Sequence, residues 1–336
     1  MPTPTLTLLA LVATTYAADL VGANNEKTEA AESFYDSHSS RFVYHYGKVI
    51  QQCRAAASND TEEVRLMSLA AHIEPGQRIL DNGCGVGGVA AILTSLYSKS
   101  LVVDGVTIST TEAQATQQRI RPLCPKCKVF HRDYSTPLPA EQIGQYNRVL
   151  FLDTTGYVHG PCDGIAAQAA AALSPGGRVY FKDQCAVSTM SNESITVRKE
   201  VWHYQFRTVT NLVRCFESAG LKWIAPPAAP MVGGHDSPPQ HIRKRDNMVR
   251  CSSSIPHGLP HSDEGDPCDG RVIPSMDTAA SNKAWNNVQR AAVGREGVQE
   301  GAKRIRLVDK EAEKAGKKAG TYCCALHFEK PRRAVE

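Results

Sequence analysis

From Gln77 to about residue 186, the chain alternates between two hydrophobic patterns. Short runs of apolar residues, typical of buried strands, alternate with longer segments whose apolar residues recur every three to four positions, as in amphipathic helices. The runs predicted as strands are RILDNG, SLVVDGVTIS, KVFHRDY, YNRVLFLDTT and RVYFKDQC. Regular alternation of this kind predicts an α/β fold, a Rossmann-like, doubly wound and mostly parallel sheet with helices on both faces.

The same pattern divides the chain into four parts. Residues 1–60 contain a dense aromatic cluster and are predicted to form a helical lid, and residues 61–225 are predicted to form the core. Residues 226–283 are rich in Pro, Ser, Gly and His and lack periodicity, so we expect a long flexible insertion. Residues 284–336 are predicted to add a charged helix and a closing strand, TYCCALHFEKP.

Composition narrows the class of protein. The 336 residues are 42% hydrophobic, and 38 basic against 34 acidic residues give a net charge of +4, too small to indicate a nucleic-acid partner. Eleven cysteines without framework spacing are interpreted as buried thiols of a cytoplasmic protein. The apolar residues 6–18 are too short to span a bilayer and lack the basic residues that precede a signal-peptide core, so a packed helix is preferred to secretion.

The strongest chemical signal is the glycine-rich turn DNGCGVGG after the first strand. Glycines let the backbone bend sharply and approach a ligand, and the next helix offers free N–H groups. Asp81, two residues before the first glycine, is suited to pair with the ammonium group of S-adenosylmethionine (SAM), whereas dinucleotide-binding loops usually lack this acid. The cofactor-binding residues expected here are Asp81, Gly83, Cys84, Gly85 and Gly87.

Further polar residues follow the second and third strands at the edge where such sheets bind ligands. Asp104 lies inside the second strand, so other residues are expected to bind the ribose of the cofactor. At the end of the third strand, an acid and an aromatic ring suit the adenine amine and the face of the base. The cofactor-binding residues expected at these two strand ends are Thr107, Ser109, Gln114, Asp133 and Tyr134.

The fourth strand places Asp153, Tyr157 and His159 where the transferred methyl group should point. A buried carboxylate there could act as a base or stabilise positive charge on the substrate. These three residues are the catalytic candidates.

Together, DNGCGVGG, DGVTISTTEAQA, FLDTTGYV and LSPGGRVYFKD resemble the family of sterol, tocopherol and geranyl diphosphate C-methyltransferases. The likeness covers about residues 34–225 and the strand at 322–329. It implies a class I methyltransferase that transfers a methyl group from SAM to an isoprenoid double bond, giving a carbocation that loses a proton to a buried base. Asp153 matches a Glu of the geranyl diphosphate enzymes, which implies a catalytic role.

A cation in a dry pocket is stabilised by aromatic faces and a nearby carboxylate. The residues expected to line the substrate site are Tyr35, Tyr44, His45, Tyr46, Trp202 and Tyr204. The resemblance departs at Phe151 and Leu152, where the geranyl diphosphate enzymes carry polar residues, so Mg²⁺ is expected only for a diphosphate substrate. The cations that could compensate for this departure are Arg41, His45, Lys48 and Arg207.

Two other functions remain open. One is N- or O-methylation of a small metabolite with His159 or His45 as base, and the other is a non-catalytic SAM-fold protein that binds a partner through the insertion.

The CPKC motif at 124–127 holds half the ligands of a zinc site without a second pair, so no metal site is predicted. The basic run 303–318 contains interleaved acids and is interpreted as an ordinary helix surface, while a homo-oligomer remains open.

Overall fold

The computed structural model describes residues 32–40, 43, 48–51, 53, 59–98, 100–158, 160–188, 190–202, 204–224, 296, 299–315 and 321–332. The helices are α1 (32–40), α2 (Asp60–Ala70), α3 (Gly88–Leu96), α4 (Thr110–Ile120), α5 (Asp163–Ala172), α6 (Asn192–Trp202), α7 (Val209–Ser218) and α8 (299–314). The strands are β1 (Arg78–Asn82), β2 (Val102–Thr107), β3 (Val129–His131), β4 (Tyr146–Leu152), β5 (Leu173–Ala186), β6 (Arg207–Thr208), β7 (Lys222–Trp223) and β8 (Thr321–Glu329).

The strands form one sheet in the order β3-β2-β1-β4-β5-β8-β7, and β6 also pairs with β5. Strands β1 to β6 pair in parallel, whereas β8 runs antiparallel to both β5 and β7. The predicted Rossmann-like α/β fold is therefore confirmed. The carboxyl ends of β1, β2, β4 and β5 share one edge, which is where ligands bind in such sheets.

Alternating side chains along the strands build a core on each face of the sheet. Ile79 packs with α2, α3 and α4, whereas its neighbour Leu80 packs on the opposite face with α5 and α7. This second core contains stacked and edge-to-face phenylalanines, with Phe216 and Phe328 rings 4.5 Å apart. Burial on both faces explains why the central strands appear in the sequence as continuous apolar runs.

Polar side chains cap the starts of two helices. Asn59 caps α2 by accepting a hydrogen bond from the Glu62 N–H at 2.9 Å. Ser109 caps α4 in the same way, accepting from the Glu112 N–H at 3.1 Å. Because Ser109 follows β2, its cap fixes where α4 leaves the edge of the sheet and positions the first-turn residues of α4.

The largest difference from the expected elements lies between α5 and β5. The fifth strand is predicted to begin at Arg178, in RVYFKDQC, but α5 ends at Ala172 and β5 already begins at Leu173. The Gly176 N–H donates to the Lys330 carbonyl at 2.8 Å, and the Lys330 N–H donates to the Gly177 carbonyl at 2.9 Å. These long-range bonds to the end of β8 extend the strand backward, which local pattern could not reveal.

Helix α6 was also not predicted, and it packs against α8 through an ion pair between Arg198 and Asp309 at 2.6 Å. The predicted insertion at 226–283 and the apolar residues 6–18 lie outside the described residues. Within the described part of the chain, no helix is long and apolar enough to cross a membrane.

The cysteines require a correction. Cys53 is disulfide-bonded, and Cys84 is a buried free thiol. The three pairs whose two partners are both described are Cys124–Cys127, Cys162–Cys215 and Cys185–Cys324. The prediction of thiols is therefore wrong for these seven residues, because spacing along the chain does not show which elements bring their Cα atoms 5.4–5.9 Å apart, as the three pairs do.

Candidate functional site

The glycine-rich turn joins β1 to α3 at the ligand-binding edge of the sheet. Gly83, Gly85 and Gly87 have φ values of 77°, 51° and 75°, in the left-handed region that favours glycine. The Cys84 N–H donates to the Val106 carbonyl at 3.0 Å, which fixes the turn against β2. No side chain caps α3, so its first N–H groups remain available for an anionic group of a ligand.

Asp81 lies at the end of β1 beneath this turn. Its side chain is buried, and one carboxylate oxygen, Oδ2, has no hydrogen-bond partner. Burial raises its pKa from 3.8 to about 7. An ammonium group at this oxygen would compensate for the lost hydration, so the orphaned carboxylate and the open glycine turn fit the methionine portion of SAM.

Glu112, in the first turn of α4, is a buried acid beside the end of β2 that the sequence interpretation missed. Its carboxylate accepts from the Thr107 hydroxyl at 2.8 Å and from the Ser39 hydroxyl at 3.0 Å. Thr107 is thus placed beside the cofactor edge, but its hydroxyl is already bonded. Gln114 is exposed on α4 and is not brought together with these groups.

Helix α1 lies across the carboxyl ends of β2 and β4. The Ser109 hydroxyl donates to Asp36 Oδ1 at 2.5 Å, and the Thr111 N–H donates to the same oxygen at 3.0 Å. Further along the sheet edge, the rings of Tyr35 and Tyr157 meet edge to face with centroids 5.2 Å apart. These contacts hold α1 against the ligand-binding edge of the sheet, and the lid role of residues 1–60 stays a prediction.

The two residues after β3 differ in their surroundings. Asp133 accepts from both the backbone N–H and the hydroxyl of Ser135 at 2.7 Å, so it stabilises its own turn. Tyr134 lies in the core, where its ring meets Phe151 edge to face and its hydroxyl donates to the Thr154 carbonyl at 2.8 Å. Its binding to the base of the cofactor stays a prediction, and the contacts described here are packing contacts.

Asp153 follows β4 and has a left-handed backbone with φ of 55°, which Asp tolerates better than most residues. Its N–H donates to the Lys182 carbonyl at 2.8 Å. Its Oδ2 accepts from the Cys53 N–H at 2.6 Å. We call residues 48–51 and 53 the strap, and Asp153 holds this strap to the edge of the sheet.

A second attachment of the strap is buried beside the first. Lys182 Nζ donates to Gln51 Oε1 at 2.6 Å and forms an ion pair with Glu63 at 2.7 Å, with both charged side chains buried. The strap also contacts the glycine turn, because a Cβ on Gly88 would lie 2.0 Å from the Lys48 carbonyl oxygen. The strap therefore links the predicted cofactor turn to the predicted catalytic strand end.

Asp183, near the carboxyl end of β5, is another buried carboxylate that the sequence interpretation missed. Its Oδ2 accepts from the Thr155 N–H at 2.9 Å and from the Thr155 hydroxyl at 2.7 Å. Its Oδ1 accepts from the Gln184 N–H at 2.7 Å and from the Tyr204 hydroxyl. Burial raises its pKa, although the four donors oppose the shift.

Tyr204 continues into a row of tyrosines. Its ring lies 4.9 Å from that of Tyr157, which in turn contacts Tyr35. A Cβ on Gly156 would lie 2.2 Å from the Tyr204 ring, so only glycine leaves room for this arrangement. We call the five residues that meet here the acceptor cluster: Tyr35, Tyr157, Tyr204, Asp153 and Asp183.

Arg207 does not fit the suggested role in binding a diphosphate. It is 6% exposed, and its guanidinium donates to the carbonyls of Thr155, Val158 and Gly160 at 2.6–3.0 Å. Because these donors are occupied by backbone oxygens, Arg207 holds the 155–160 turn in place. This contact is between distant parts of the chain and could not be read from the sequence.

Several sequence-predicted residues lie outside the described part of the chain. They are Arg41, Tyr44, His45, Tyr46 and His159, together with the side chain of Trp202.

The two buried acids that the sequence interpretation missed, Glu112 and Asp183, both lie in recognisable sequence patterns. Ser109 and Glu112 have the S-x-x-E spacing of a helix capping box, which marks the first turn of α4. Asp183 lies two residues after the apolar run VYF in the segment predicted as the fifth strand, so the strand-end rule applied to β1 through β4 also selects it.

Comparison with protein families gives one match. Residues 55–225, about half of the chain, match the family model of a methyltransferase domain. No curated protein matches the chain.

Solved structures share the fold at low identity. The [4+2]-cyclase SpnF has a TM-score of 0.55 and 14% identity, covering 90% of this chain and 95% of that one. Phosphoethanolamine N-methyltransferase 2 of Haemonchus contortus, in complex with SAM, has a TM-score of 0.53 and 14% identity. The match covers 88% of this chain and 57% of that one. Geranyl diphosphate C-methyltransferase of Streptomyces coelicolor A3(2) has a TM-score of 0.51 and 13% identity. The match covers 90% of this chain and 97% of that one. Since one of these proteins is a cyclase, the fold alone does not identify the reaction.

Proposed function

Because the chain belongs to the methyltransferase domain family, we propose that this class I SAM-dependent methyltransferase methylates a small apolar acceptor in which positive charge develops. The acceptor proposed first is the carbon–carbon double bond of an isoprenoid. The observation that carries the proposal is the acceptor cluster, in which three tyrosines and two carboxylates meet at the ends of β4 and β5.

On the cofactor side, SAM would supply an electrophilic methyl group. Asp81 would hold its ammonium group, and the glycine turn would leave space for its backbone contacts. Glu112 is the buried acid beside the end of β2. Asp104 instead accepts from Arg78 at 2.7 Å and Tyr146 at 3.0 Å, inside the sheet.

On the acceptor side, methyl transfer needs alignment and exclusion of water more than a strong acid. The edge-to-face contact of Tyr35 with Tyr157 joins α1 to the strand edge, so α1 is suited to cover the acceptor. Aromatic faces and the negative charge of Asp153 would stabilise positive charge that develops on the acceptor.

The occupied donors of Arg207 argue against a diphosphate held by that residue. We therefore favour an isoprenoid bound by its hydrocarbon part, and expect Mg²⁺ to matter only if the acceptor carries a diphosphate. The second candidate is N-methylation of a small amine, because a cationic ammonium product would also be stabilised by carboxylates among tyrosine rings. A small-molecule acceptor and the lack of a nucleic-acid partner stay predictions.

The test is turnover with isotope-labelled SAM, read by mass spectrometry. The panel contains prenyl diphosphates, prenyl alcohols, sterols, prenylated phenols and small amines, each with and without Mg²⁺. An isoprenoid heavier by one labelled methyl group, formed at least tenfold more slowly by D153N, supports C-methylation. Label found only on amines or phenols contradicts C-methylation and supports the second candidate. An Asp163→Asn variant, at an exposed aspartate in the first turn of α5, is the control for general loss of activity.

A further inference from the structure

The carboxylate of Asp183 is arranged around one particular phenol. Thr155 and the Gln184 N–H provide three of its hydrogen bonds, and the Tyr204 hydroxyl provides the fourth. Asp183 is 1% exposed and Tyr204 is 7% exposed. A carboxylate that accepts a phenolic hydrogen bond away from water is placed to receive the proton of that phenol.

The surroundings keep this pair in one geometry. The Tyr204 ring contacts Tyr157 and Phe206, both at 4.9 Å between centroids, and Gly156 leaves the space that the ring occupies. Asp153 differs, because one of its oxygens accepts the strap N–H of Cys53. Asp183 therefore accepts from a phenol in addition to backbone and hydroxyl donors, whereas Asp153 accepts from the backbone of the strap.

We propose that Tyr204 and Asp183 form the proton-accepting pair of the acceptor site. A proton released by the methylated acceptor bonds to the Tyr204 oxygen, while the phenolic proton moves to Asp183 Oδ1. The C–H or N–H bond electrons stay with the acceptor and neutralise its positive charge, Tyr204 ends as a neutral phenol, and Asp183 ends as a neutral acid. Tyr204 is the catalytic residue of this step, and Asp183 acts through it. The proposal rests on the proposed methyl transfer.

The charge environment is consistent with this direction of transfer. Burial raises the pKa of Asp183 above its ordinary range, which makes it a better proton acceptor than an exposed aspartate. Burial also raises the pKa of Tyr204, and the negative charge of Asp183 raises it further. Tyr204 therefore stays protonated until Asp183 takes its proton as a new one arrives.

The first test needs no acceptor. Carbon-13 NMR of labelled aspartates in the full chain with bound S-adenosylhomocysteine follows the Asp183 carboxyl across pH. The Tyr204 hydrogen bond stabilises the ionised form, so Tyr204→Phe should raise the pKa of Asp183, whereas Tyr157→Phe should leave it within a few tenths of a unit. An Asp183 resonance that titrates identically in wild type and Tyr204→Phe overturns the pair whether or not an acceptor is known.

The second test uses the acceptor that the labelled-SAM panel identifies. Tyr204→Phe should lower kcat about a hundredfold, the scale of a lost proton acceptor, and should abolish the rise of kcat with pH. The affinity for S-adenosylhomocysteine should stay within twofold, and Tyr157→Phe should keep the pH profile. Wild-type kcat and pH dependence in Tyr204→Phe would overturn the catalytic step, whereas an inactive wild type would count against the proposed function alone.

The disulfides carry a second, independent inference. The pair Cys162–Cys215 joins the start of α5 to α7, and Cys185–Cys324 joins β5 to β8. The Cys124–Cys127 pair closes the loop before β3. Disulfides persist in oxidising compartments and are rare in the cytosol. We infer that this methyltransferase is built for an oxidising compartment, in contrast to the cytoplasmic location expected from the sequence.

The experiment exposes the folded chain to glutathione buffers with the thiol–disulfide balance of the endoplasmic reticulum or of the cytosol. Alkylation and peptide mass spectrometry then report each pair, with the free thiol of Cys84 as an internal control that is alkylated after denaturation. The inference expects all three pairs to be cystines in the first buffer. Folded protein whose three pairs are thiols in that buffer would overturn it.

Discussion

The carboxylate of Asp153 accepts a hydrogen bond from the backbone N–H of Cys53 at 2.6 Å, across 100 residues of sequence. This contact gives the predicted catalytic residue a structural task, because it fastens the strap to the edge of the sheet. The charge of Asp153 and its hydrogen bond can be separated, since an amide oxygen still accepts a hydrogen bond but carries no charge.

Replacement of Asp153 by Asn should therefore lower turnover while leaving the fold intact. Asn keeps an acceptor for Cys53 and tolerates the left-handed φ of 55°. We expect kcat to fall at least tenfold and the unfolding free energy to change by less than about 0.5 kcal/mol. Asp153→Ala removes the acceptor as well and should cost about 1–3 kcal/mol of stability. Equal turnover in wild type and Asp153→Asn, measured with the acceptor found by labelled SAM, would contradict a role for the charge.

The buried carboxylate of Asp81 predicts that SAM binding depends on pH. With a pKa near 7, Asp81 is mostly neutral at pH 6 and mostly ionised at pH 8. Because the ammonium group of SAM prefers the ionised form, the affinity should rise about tenfold between these pH values. Isothermal titration calorimetry at pH 6 and pH 8 measures this change in affinity, with S-adenosylhomocysteine as the ligand because it carries the same ammonium group. Asp81→Asn should weaken binding and remove this pH dependence, whereas Asp133→Asn should retain it.

For the protein without ligand, the raised pKa of Asp81 predicts that stability falls, rather than rises, with increasing pH. The pKa of Asp81 is raised above its unfolded value of 3.8, so between about pH 4 and 7 the folded state binds more protons than the unfolded state. This residue therefore makes the unfolding free energy fall as pH rises through that window. Between pH 5 and pH 7.5, the unfolding free energy measured with urea should fall less in Asp81→Asn than in wild type. An equal fall in both proteins would argue against the raised pKa of Asp81.

Much of this site follows from local sequence patterns. The strands, the glycine turn and Asp81 were predicted because a strand followed by a turn is a local signal, and Glu112 was readable as part of a capping box. The contacts that complete the site are not local. Asp183 meets Tyr204 and Arg207 meets the Thr155 carbonyl only after folding, and the cysteine pair 185–324 joins strands that are 139 residues apart.

Gly88 tests whether the strap supports the cofactor turn. A helix glycine usually gains about 1 kcal/mol on replacement by Ala. Here the added Cβ would lie 2.0 Å from the backbone oxygen of Lys48, so the strap must move. Gly88→Ala should therefore lower both the melting temperature and the affinity for S-adenosylhomocysteine. The control is Gly76→Ala, which also costs stability because its φ is 83°, but which meets no atom within 4 Å and should leave binding unchanged.

Arg207 distinguishes a structural cation from a substrate-binding one. Its guanidinium donates to three backbone carbonyls of the turn that carries Tyr157. Arg207→Lys keeps the charge but cannot reach all three oxygens with one ammonium group, so we expect a loss of about 2–3 kcal/mol, measured by urea unfolding without any substrate. If Arg207 instead bound a diphosphate, Arg207→Lys would keep wild-type stability and raise KM only for diphosphate acceptors. Lys48→Met is the comparison, because Lys48 is exposed and its loss should leave stability within about 0.5 kcal/mol of wild type.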